Sequence, residues 1–253
     1  MLVANSYLTG FVLGIETLSM GVFTLQNDLK QIEYQDSLCI IRGYLSYSLC
    51  AVENYSFLAE ALYRYMMVVY PNYLFWQSAR TQLLFLCSTW IFALIFPIPF
   101  IFTGGIIYNV DNQICQLPFQ LSISLVFAAT CVFALPMSMT IFIYLRLVQY
   151  VKEMSRRVVL TNSLSRAKRE LKMVRRLVIL VIIIFAVASP YALFVLISFF
   201  TAPPKYHFRI GYIFIDLSVA SVMIALLQFT DPLKAFIKKI IYGRSNTVIP
   251  TMT

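Results

Sequence analysis

The clearest pattern along the chain is a series of long apolar segments separated by shorter polar ones. A helix of about 20 apolar residues crosses the hydrocarbon core of a bilayer, which is about 30 Å thick. Continuous apolar runs such as 177–185 show none of the alternation that a transmembrane β-barrel requires. The pattern therefore predicts an all-α, polytopic membrane helix bundle. We predict six spans, 2–25, 38–70, 81–103, 121–150, 172–200 and 210–229, followed by a short amphipathic helix at 233–242.

Composition supports a membrane environment. The chain is 60% hydrophobic and only 12% charged, whereas soluble domains carry about 25% charged residues. It has too little polar surface to cover a core of its own size in water, so we expect the lipid bilayer to face much of the protein. The N-terminus lacks the basic region and cleavage site of a signal peptide. We treat residues 1–253 as a single transmembrane domain.

Basic residues are concentrated on one side of this six-helix arrangement. Half of the 20 Lys and Arg residues lie in 146–176, and more follow in 234–244. The opposite side holds only Lys30, Arg42, Lys205 and Arg209, with several acids beside them. The positive-inside rule makes the basic side cytoplasmic. The basic charge is explained by membrane topology and attraction to anionic lipid or, in addition, by docking of a cytosolic partner. Because it lies between spanning helices, we do not expect nucleic acid to be a binding partner.

Two of the five cysteines lie on the predicted outer side. Cys39 begins the second span and Cys115 lies in the outer loop 104–120. Disulfides persist on this oxidising side of the membrane, so we predict a Cys39–Cys115 bridge that pins the loop to a helix end. The other three fall inside predicted helices, where cysteine usually serves as a small buried residue.

Several individual residues, which we call landmarks, occur in a particular order and with particular spacings along the predicted helices. They are Cys39 and, 25 positions later, Arg64 in the run Leu-Tyr-Arg-Tyr (62–65); Trp90, ahead of Pro97 and Pro99; Pro136 and, eight positions later, Tyr144; Glu170 and, 20 positions later, Pro190; and the pair Asp231-Pro232. In this order the residues resemble the rhodopsin-like (class A) G-protein-coupled receptors over about residues 2–242. Each landmark alone is also explained by a helix kink or by packing.

The resemblance implies a multi-pass receptor of the plasma membrane that binds an extracellular ligand and activates heterotrimeric G proteins at its basic face. Six predicted spans instead of seven imply that the family's first helix is missing. Without that neighbour, the polar side chain of Asn5 would be exposed to lipid. We therefore expect an incomplete gene model more than a genuine six-helix receptor.

The resemblance also implies an activation mechanism. Arg64 would pair with Glu170 in the inactive state, and an outward swing about Pro190 would release it toward Tyr144 and the G protein. The coupling residues carried over from the family are Arg64, Tyr65, Tyr144, Glu170, Pro190, Asp231 and Pro232. Three positions depart from the family's pattern, because Tyr63, Ala188 and Ala235 replace an acid, a tryptophan and a tyrosine. Arg64 would thus lose its neighbouring acid and depend more on Glu170.

Three polar groups, Asn5, Glu53 and Asp231, are predicted at membrane depth. Ionisable groups there are candidates for functional sites, and the family keeps a sodium ion in this region. One interpretation is a rearranged cation or proton site. The alternative is that at least one carboxyl is protonated and hydrogen-bonded, because two close carboxylates resist joint ionisation.

By helical position, six residues are predicted to line the outer ligand cavity: Arg42, Ser46, Tyr47, Tyr191, Phe194 and Ser221. Ser46 stands where amine receptors carry an aspartate, which disfavours a typical amine ligand. Arg42 could meet an acidic group or extend to the headgroups. The predicted cavity also lacks a lysine to which retinal could be attached, which disfavours retinal as the ligand.

Two other function classes remain open at this stage. One is a truncated, non-signalling receptor homologue, and the other is a six-span transporter or channel, although no inverted repeat supports it. The sequence contains no phosphate-binding loop, nucleophile elbow or zinc-protease motif. We therefore expect no enzyme, cofactor or metal site.

Overall fold

The computed structural model describes residues 1–30, 36–70, 73, 75, 78–157, 186, 189–201 and 204–229. Helices make up most of this part of the chain. In chain order, the elements are α1 (Leu2–Lys30), α2 (Cys39–Val69), α3 (Ala79–Ile95), α4 (Ile98–Phe102), β1 (Ile107–Asn109), β2 (Ile114–Gln116), α5 (Ile123–Ala129), a π-helical turn (Thr130–Ala134), α6 (Leu135–Arg157), α7 (Ser189–Ser198) and α8 (His207–Phe229).

Four helical segments of the described chain are long and apolar enough to cross a membrane. They are Leu2–Lys30, Ala79–Phe102, Ile123–Met154 and His207–Ile224, and each overlaps a predicted span. α1 continues five residues beyond its predicted end, and α8 begins three residues before its predicted start. Only the last part of the span predicted at 172–200 is described, as α7, and the amphipathic helix predicted at 233–242 lies outside the described residues.

α2 occupies the span predicted at 38–70 but is not among those four segments. Its buried residues include Ser46, Glu53, Asn54, Ser56 and Glu60, which lower its hydropathy. Polar residues are tolerated at this depth when other helices surround them. α2 is therefore an interior helix, packed against α1, α3 and α6.

Prolines shape two of the helical segments. Pro97 separates α3 from α4, and the π-helical turn ends two residues before Pro136. Proline has no backbone N–H, and its ring crowds the carbonyl of the preceding turn. A wider helical turn relieves that crowding, which places the irregular backbone directly ahead of Pro136.

A β-hairpin covers the outer side of the bundle. β1 and β2 pair antiparallel, with Tyr108 opposite Cys115, and the chain turns at Gln113, whose φ is 56°. The predicted Cys39–Cys115 disulfide is confirmed, and it attaches β2 to the first turn of α2. The prediction of an all-α chain missed the two strands, because three-residue strands are too short to give a periodic signal.

The hairpin rests directly on the backbone of α2. A Cβ atom at Gly43 would lie 2.4 Å from the carbonyl oxygen of Cys115 and 2.9 Å from Cγ2 of Ile106. Only glycine permits this approach. A core of Tyr47, Phe96, Phe100 and Leu117 continues beneath the contact, so the hairpin is packed tightly onto the outer end of α2.

Candidate functional site

The inner end of α2 holds a charged pair. Nη2 of Arg64 lies 3.5 Å from Oε2 of Glu60, one helical turn earlier. The Glu60 side chain is only 3% exposed, and its Oε1 accepts a hydrogen bond of 3.0 Å from the hydroxyl of Ser6 on α1. Arg64 therefore has a carboxylate partner on its own helix that the sequence pattern did not reveal. The acid lies four residues before the arginine instead of beside it.

Tyr144 lies next to this pair. It is buried on α6 in an apolar cluster with Ala61, Leu147 and Val151, and Tyr65 packs against the same cluster. Tyr144 is also close enough to Arg64 and Glu60 to interact electrostatically with both side chains. The structure thus brings together Arg64, Tyr65 and Tyr144 of the predicted coupling residues. Pro190 lies in α7, whereas Glu170, Asp231 and Pro232 lie outside the described residues.

Asn5 connects three helices in the middle of the bundle. Its Nδ2 donates to Oγ of Ser56 on α2 at 2.7 Å, and its Oδ1 accepts from Nε1 of Trp90 on α3 at 3.0 Å. Asn5 is only 9% exposed. The prediction that this side chain would face lipid is therefore wrong, because α1 turns the face that carries Asn5 toward α2 and α3. The bonding also gives Trp90 a role beyond packing.

Glu53 lies one step further along the same interface. Its carboxylate accepts a hydrogen bond from the hydroxyl of Thr9, and it occupies space beside Gly10. A Cβ atom at Gly10 would lie 3.3 Å from Oε1 of Glu53 and 3.2 Å from Sδ of Met223 on α8. The absence of a side chain at Gly10 thus makes room for the carboxylate between three helices. The ion-site interpretation stays a prediction, because Asp231 lies outside the described residues.

A polar cluster lies beneath the hairpin in the outer half of the bundle; we call Ser46, Tyr47, Gln116 and Tyr212 the outer polar cluster. Tyr212 Oη lies 3.2 Å from Oγ of Ser46 and accepts a hydrogen bond from the Gln116 amide. Tyr47 Oη accepts the backbone N–H of Leu117 at 3.3 Å. The second strand of the hairpin therefore supplies part of this cluster.

Aromatic side chains adjoin the outer polar cluster on α7. The ring of Tyr191 packs edge-on against Phe119, with 5.4 Å between ring centroids, and also meets Phe133. Phe194 packs against the buried group that contains Phe119 and Phe208. Of the six predicted pocket residues, Ser46, Tyr47, Tyr191 and Phe194 therefore belong to this region.

The remaining two predicted pocket residues are engaged elsewhere. Arg42 forms an ion pair with Asp36, and its guanidinium lies 4.6 Å from the ring centroid of Phe23. It meets an acidic group of the protein itself. The hydroxyl of Ser221 donates to the carbonyl of Leu217 in its own helix at 2.7 Å.

Ion pairs also tie the outer loops together. Arg209 pairs with Asp28, which joins the start of α8 to the end of α1. The tip of the hairpin contacts the same groups, because Nε2 of Gln113 donates to Oδ1 of Asp28 at 3.2 Å and Oδ1 of Asn112 accepts the N–H of Arg209 at 3.4 Å. This network holds the hairpin over the bundle.

Sequence reasoning missed four residues that the structure places in these sites, Ser56, Glu60, Gln116 and Tyr212, and two acids elsewhere in the bundle, Glu16 on α1 and Asp216 on α8. A signal for the three acids was present, since each is ionisable and falls inside a predicted span. Gln116 and Tyr212 carried no comparable signal.

Comparison with known proteins identifies the family. No curated protein matches the sequence. Residues 6–232 match the model of the 7 transmembrane receptor (rhodopsin family). The matched region begins one residue after Asn5 and includes Arg64 on α2 and the outer hairpin. Proteins of this family are multi-pass membrane receptors and not enzymes. The chain therefore belongs to the rhodopsin family of seven-transmembrane receptors.

Proposed function

We propose that this protein is a receptor of the plasma membrane that binds an extracellular ligand among its helices and activates heterotrimeric G proteins at its cytoplasmic face. In this proposal α2 and the 172–200 segment span the membrane together with the four apolar segments, within one domain of residues 1–253. The observation that carries the proposal is the Arg64–Glu60 pair at the inner end of α2, in a chain of the receptor family.

The geometry of the pair suits a switch. Its N–O separation of 3.5 Å is long for a charge-assisted hydrogen bond, so a small movement breaks it. A charged arginine near the membrane boundary must find another partner once the pair is broken. A G protein that inserts at the inner face supplies such partners. Tyr144 lies beside Arg64, where the arginine side chain would move on release.

A single helix connects the two faces of the protein. α2 has 31 residues and is therefore about 46 Å long; it carries Ser46 and Tyr47 near one end and Arg64 near the other. Along this length, α1 is bonded to α2 through Asn5–Ser56, Thr9–Glu53 and Ser6–Glu60. A shift of α2 against α1 caused by a ligand would act on all three bonds and reach the Arg64 pair. Glu170 remains a predicted second partner of Arg64.

Substitution of Arg64 by alanine tests the proposal. We expect Arg64→Ala to abolish nucleotide exchange on heterotrimeric G proteins, because the variant loses the charge that is released on activation. The measurement is basal GTPγS binding in membranes that contain the full chain, with each class of Gα subunit in turn. Arg80→Ala is the matched control, since Arg80 is an exposed basic residue on the same side of the membrane in α3. Equal loss in both variants, at equal surface expression, would contradict a specific role for Arg64.

Substitution of Glu60 by glutamine is expected to act in the opposite direction. Glutamine keeps an oxygen for Ser6 but removes the charge that holds Arg64. Basal exchange should rise several-fold, since coupling free energies of about 1–3 kcal/mol are typical of such switches. The double variant Glu60→Gln, Arg64→Ala should return to the level of Arg64→Ala. If neither the wild-type chain nor Glu60→Gln promotes exchange on any Gα class, the protein is a non-signalling member of the family.

A further inference from the structure

Glu16 on α1 is a buried carboxylate that has no hydrogen-bond partner within the described part of the chain. It lies on the helix face that also carries Leu13, Thr17 and Met20, all of them buried against the bundle. Glu16 is only 9% exposed, and neither carboxylate oxygen accepts a hydrogen bond from the described residues. Most buried polar groups in proteins are hydrogen-bonded, and an unpaired charge in the interior is costly. This acid therefore needs an explanation.

The basic residues of the outer half do not supply a partner in the described part of the chain. Arg42 is paired with Asp36 and covered by the ring of Phe23. Arg209 is paired with Asp28. Both guanidinium groups thus pair with other acids, Asp36 before α2 and Asp28 at the end of α1. Arg42 is near enough to attract the charge of Glu16, but Glu16 forms no ion pair within the described residues.

A second carboxylate lies close to the first. Asp216 on α8 accepts a hydrogen bond from the hydroxyl of Thr17, the residue that follows Glu16. The two carboxylates are near enough for their charges to repel each other. Asp216 is only half-buried. α1 and α8 together therefore present two acids, of which Glu16 is buried and Asp216 is partly exposed.

Tyrosine hydroxyls lie near these two acids. Tyr212 lies one turn before Asp216 on α8, and its hydroxyl, which belongs to the outer polar cluster, is close enough to Glu16 to feel its charge. Tyr47 and Tyr191 lie near the same hydroxyl. Carboxylates neutralise a bound cation, and a tyrosine hydroxyl accepts a hydrogen bond from its N–H groups, so these side chains suit an ammonium ligand.

We propose that Glu16 and Asp216 bind the cationic group of a small ammonium-bearing ligand, at the edge of the outer polar cluster. The inference rests on the proposed function in one respect, since it assumes that the ligand enters among the helices. An ammonium group donates up to three hydrogen bonds, which would satisfy both carboxylates and leave one donor for a tyrosine hydroxyl. The expectation that an amine ligand is disfavoured considered only Ser46; here the acids come from α1 and α8 instead of α2.

The test is thermal unfolding of the purified full chain in detergent with pairs of charged and neutral probes. Phenethylamine and 2-phenylethanol differ in an ammonium against a hydroxyl group, and agmatine adds a guanidinium. We expect phenethylamine or agmatine to raise the unfolding temperature in a concentration-dependent manner, whereas 2-phenylethanol should not. Glu16→Gln and Asp216→Asn should each weaken the response about tenfold or more, since a hydrogen bond to a charged group is lost.

Glu16→Gln provides a second readout that does not depend on a probe. Removal of an unpaired buried charge should raise the unfolding temperature of the ligand-free chain, while the response to cations falls. Asp111→Asn is the matched control, because Asp111 is an exposed acid of the outer side that lies 3.7 Å from Lys205; this variant should keep the full cation response.

The proposal is overturned if neither cation stabilises the wild-type chain more than the neutral probe does, or if the stabilisation survives the Glu16→Gln, Asp216→Asn double variant. It is also overturned if Glu16→Gln lowers the unfolding temperature of the ligand-free chain, because the carboxyl then has a structural partner. Arg64→Ala should leave the cation response intact. A normal response without any G-protein activation would therefore refute the proposed function and leave the site standing.

Discussion

Replacement of Cys39 by serine is expected to lower the free energy of unfolding by about 4 kcal/mol, since a crosslink that closes a loop of this size removes about that much entropy from the unfolded chain. The bridge joins residues 76 positions apart and attaches β2 to the start of α2. Without it, the contact of the hairpin with Gly43 and the bonds from Gln116 and Leu117 to the bundle depend on packing alone. We therefore also expect the outer polar cluster to lose order in this variant.

Thermal unfolding of the purified chain, together with its yield at the cell surface, measures this effect. Cys87→Ser is the matched control, since Cys87 is a free, exposed cysteine of α3 and serine introduces the same chemistry there. Cys115→Ser should reproduce the loss, and the double variant Cys39→Ser, Cys115→Ser should cost no more than either single one. A Cys39→Ser chain as stable as Cys87→Ser would show that the bridge does not stabilise the fold.

The substitution Gly43→Ala is expected to destabilise the chain by about 1–3 kcal/mol, the usual cost of inserting a methyl group into a packed interior. The added Cβ would approach the Cys115 carbonyl oxygen to 2.4 Å, and this atom belongs to a backbone that the disulfide fixes in place. A flexible side chain could move aside, but the hairpin backbone has to shift as a whole. The outer polar cluster would shift with it.

Gly21→Ala offers a control of opposite sign. Gly21 lies in α1 with nothing within 4 Å of an added Cβ, so alanine there should stabilise the helix by about 0.5–1 kcal/mol. Unfolding temperatures of the two variants measured side by side would separate the steric effect from the change in helix propensity. If both variants shift the unfolding temperature in the same direction, the close approach at Gly43 is not a constraint.

Much of the helical architecture could be predicted because lipid imposes a simple rule on sequence. Segments that face hydrocarbon must be long and apolar, so the ranges around 81–103 and 121–150 were evident. The disulfide could be predicted as well, since only two cysteines lay on the outer side. The hairpin could not, because its strands are three residues long and their pairing depends on the disulfide and on contacts with α2.

The candidate sites were only partly predictable, for a different reason. A sequence shows which acids lie at membrane depth, but their partners depend on how far each helix is rotated about its axis. Arg64 was found by its motif, whereas its partner Glu60 required knowledge of the α1–α2 interface, where Ser6 meets the same carboxylate. Glu16 and Asp216 are separated by 200 positions in the chain, and only the packing of α1 against α8 brings them together.

The division of α1 into two faces has a consequence for the biosynthesis of the protein. Leu8, Phe11, Ile15 and Leu18 are more than half exposed on one face, while the other bonds to α2. A charged residue at the centre of a helix costs about 2.5–3.5 kcal/mol when the helix leaves the translocon, and α2 carries Glu53 in its middle. α1 precedes α2 along the chain and offers Thr9 and Ser6 as hydrogen-bond partners for the acids of α2. We therefore expect α1 and α2 to leave the translocon together, so that these two helices enter the bilayer as one unit.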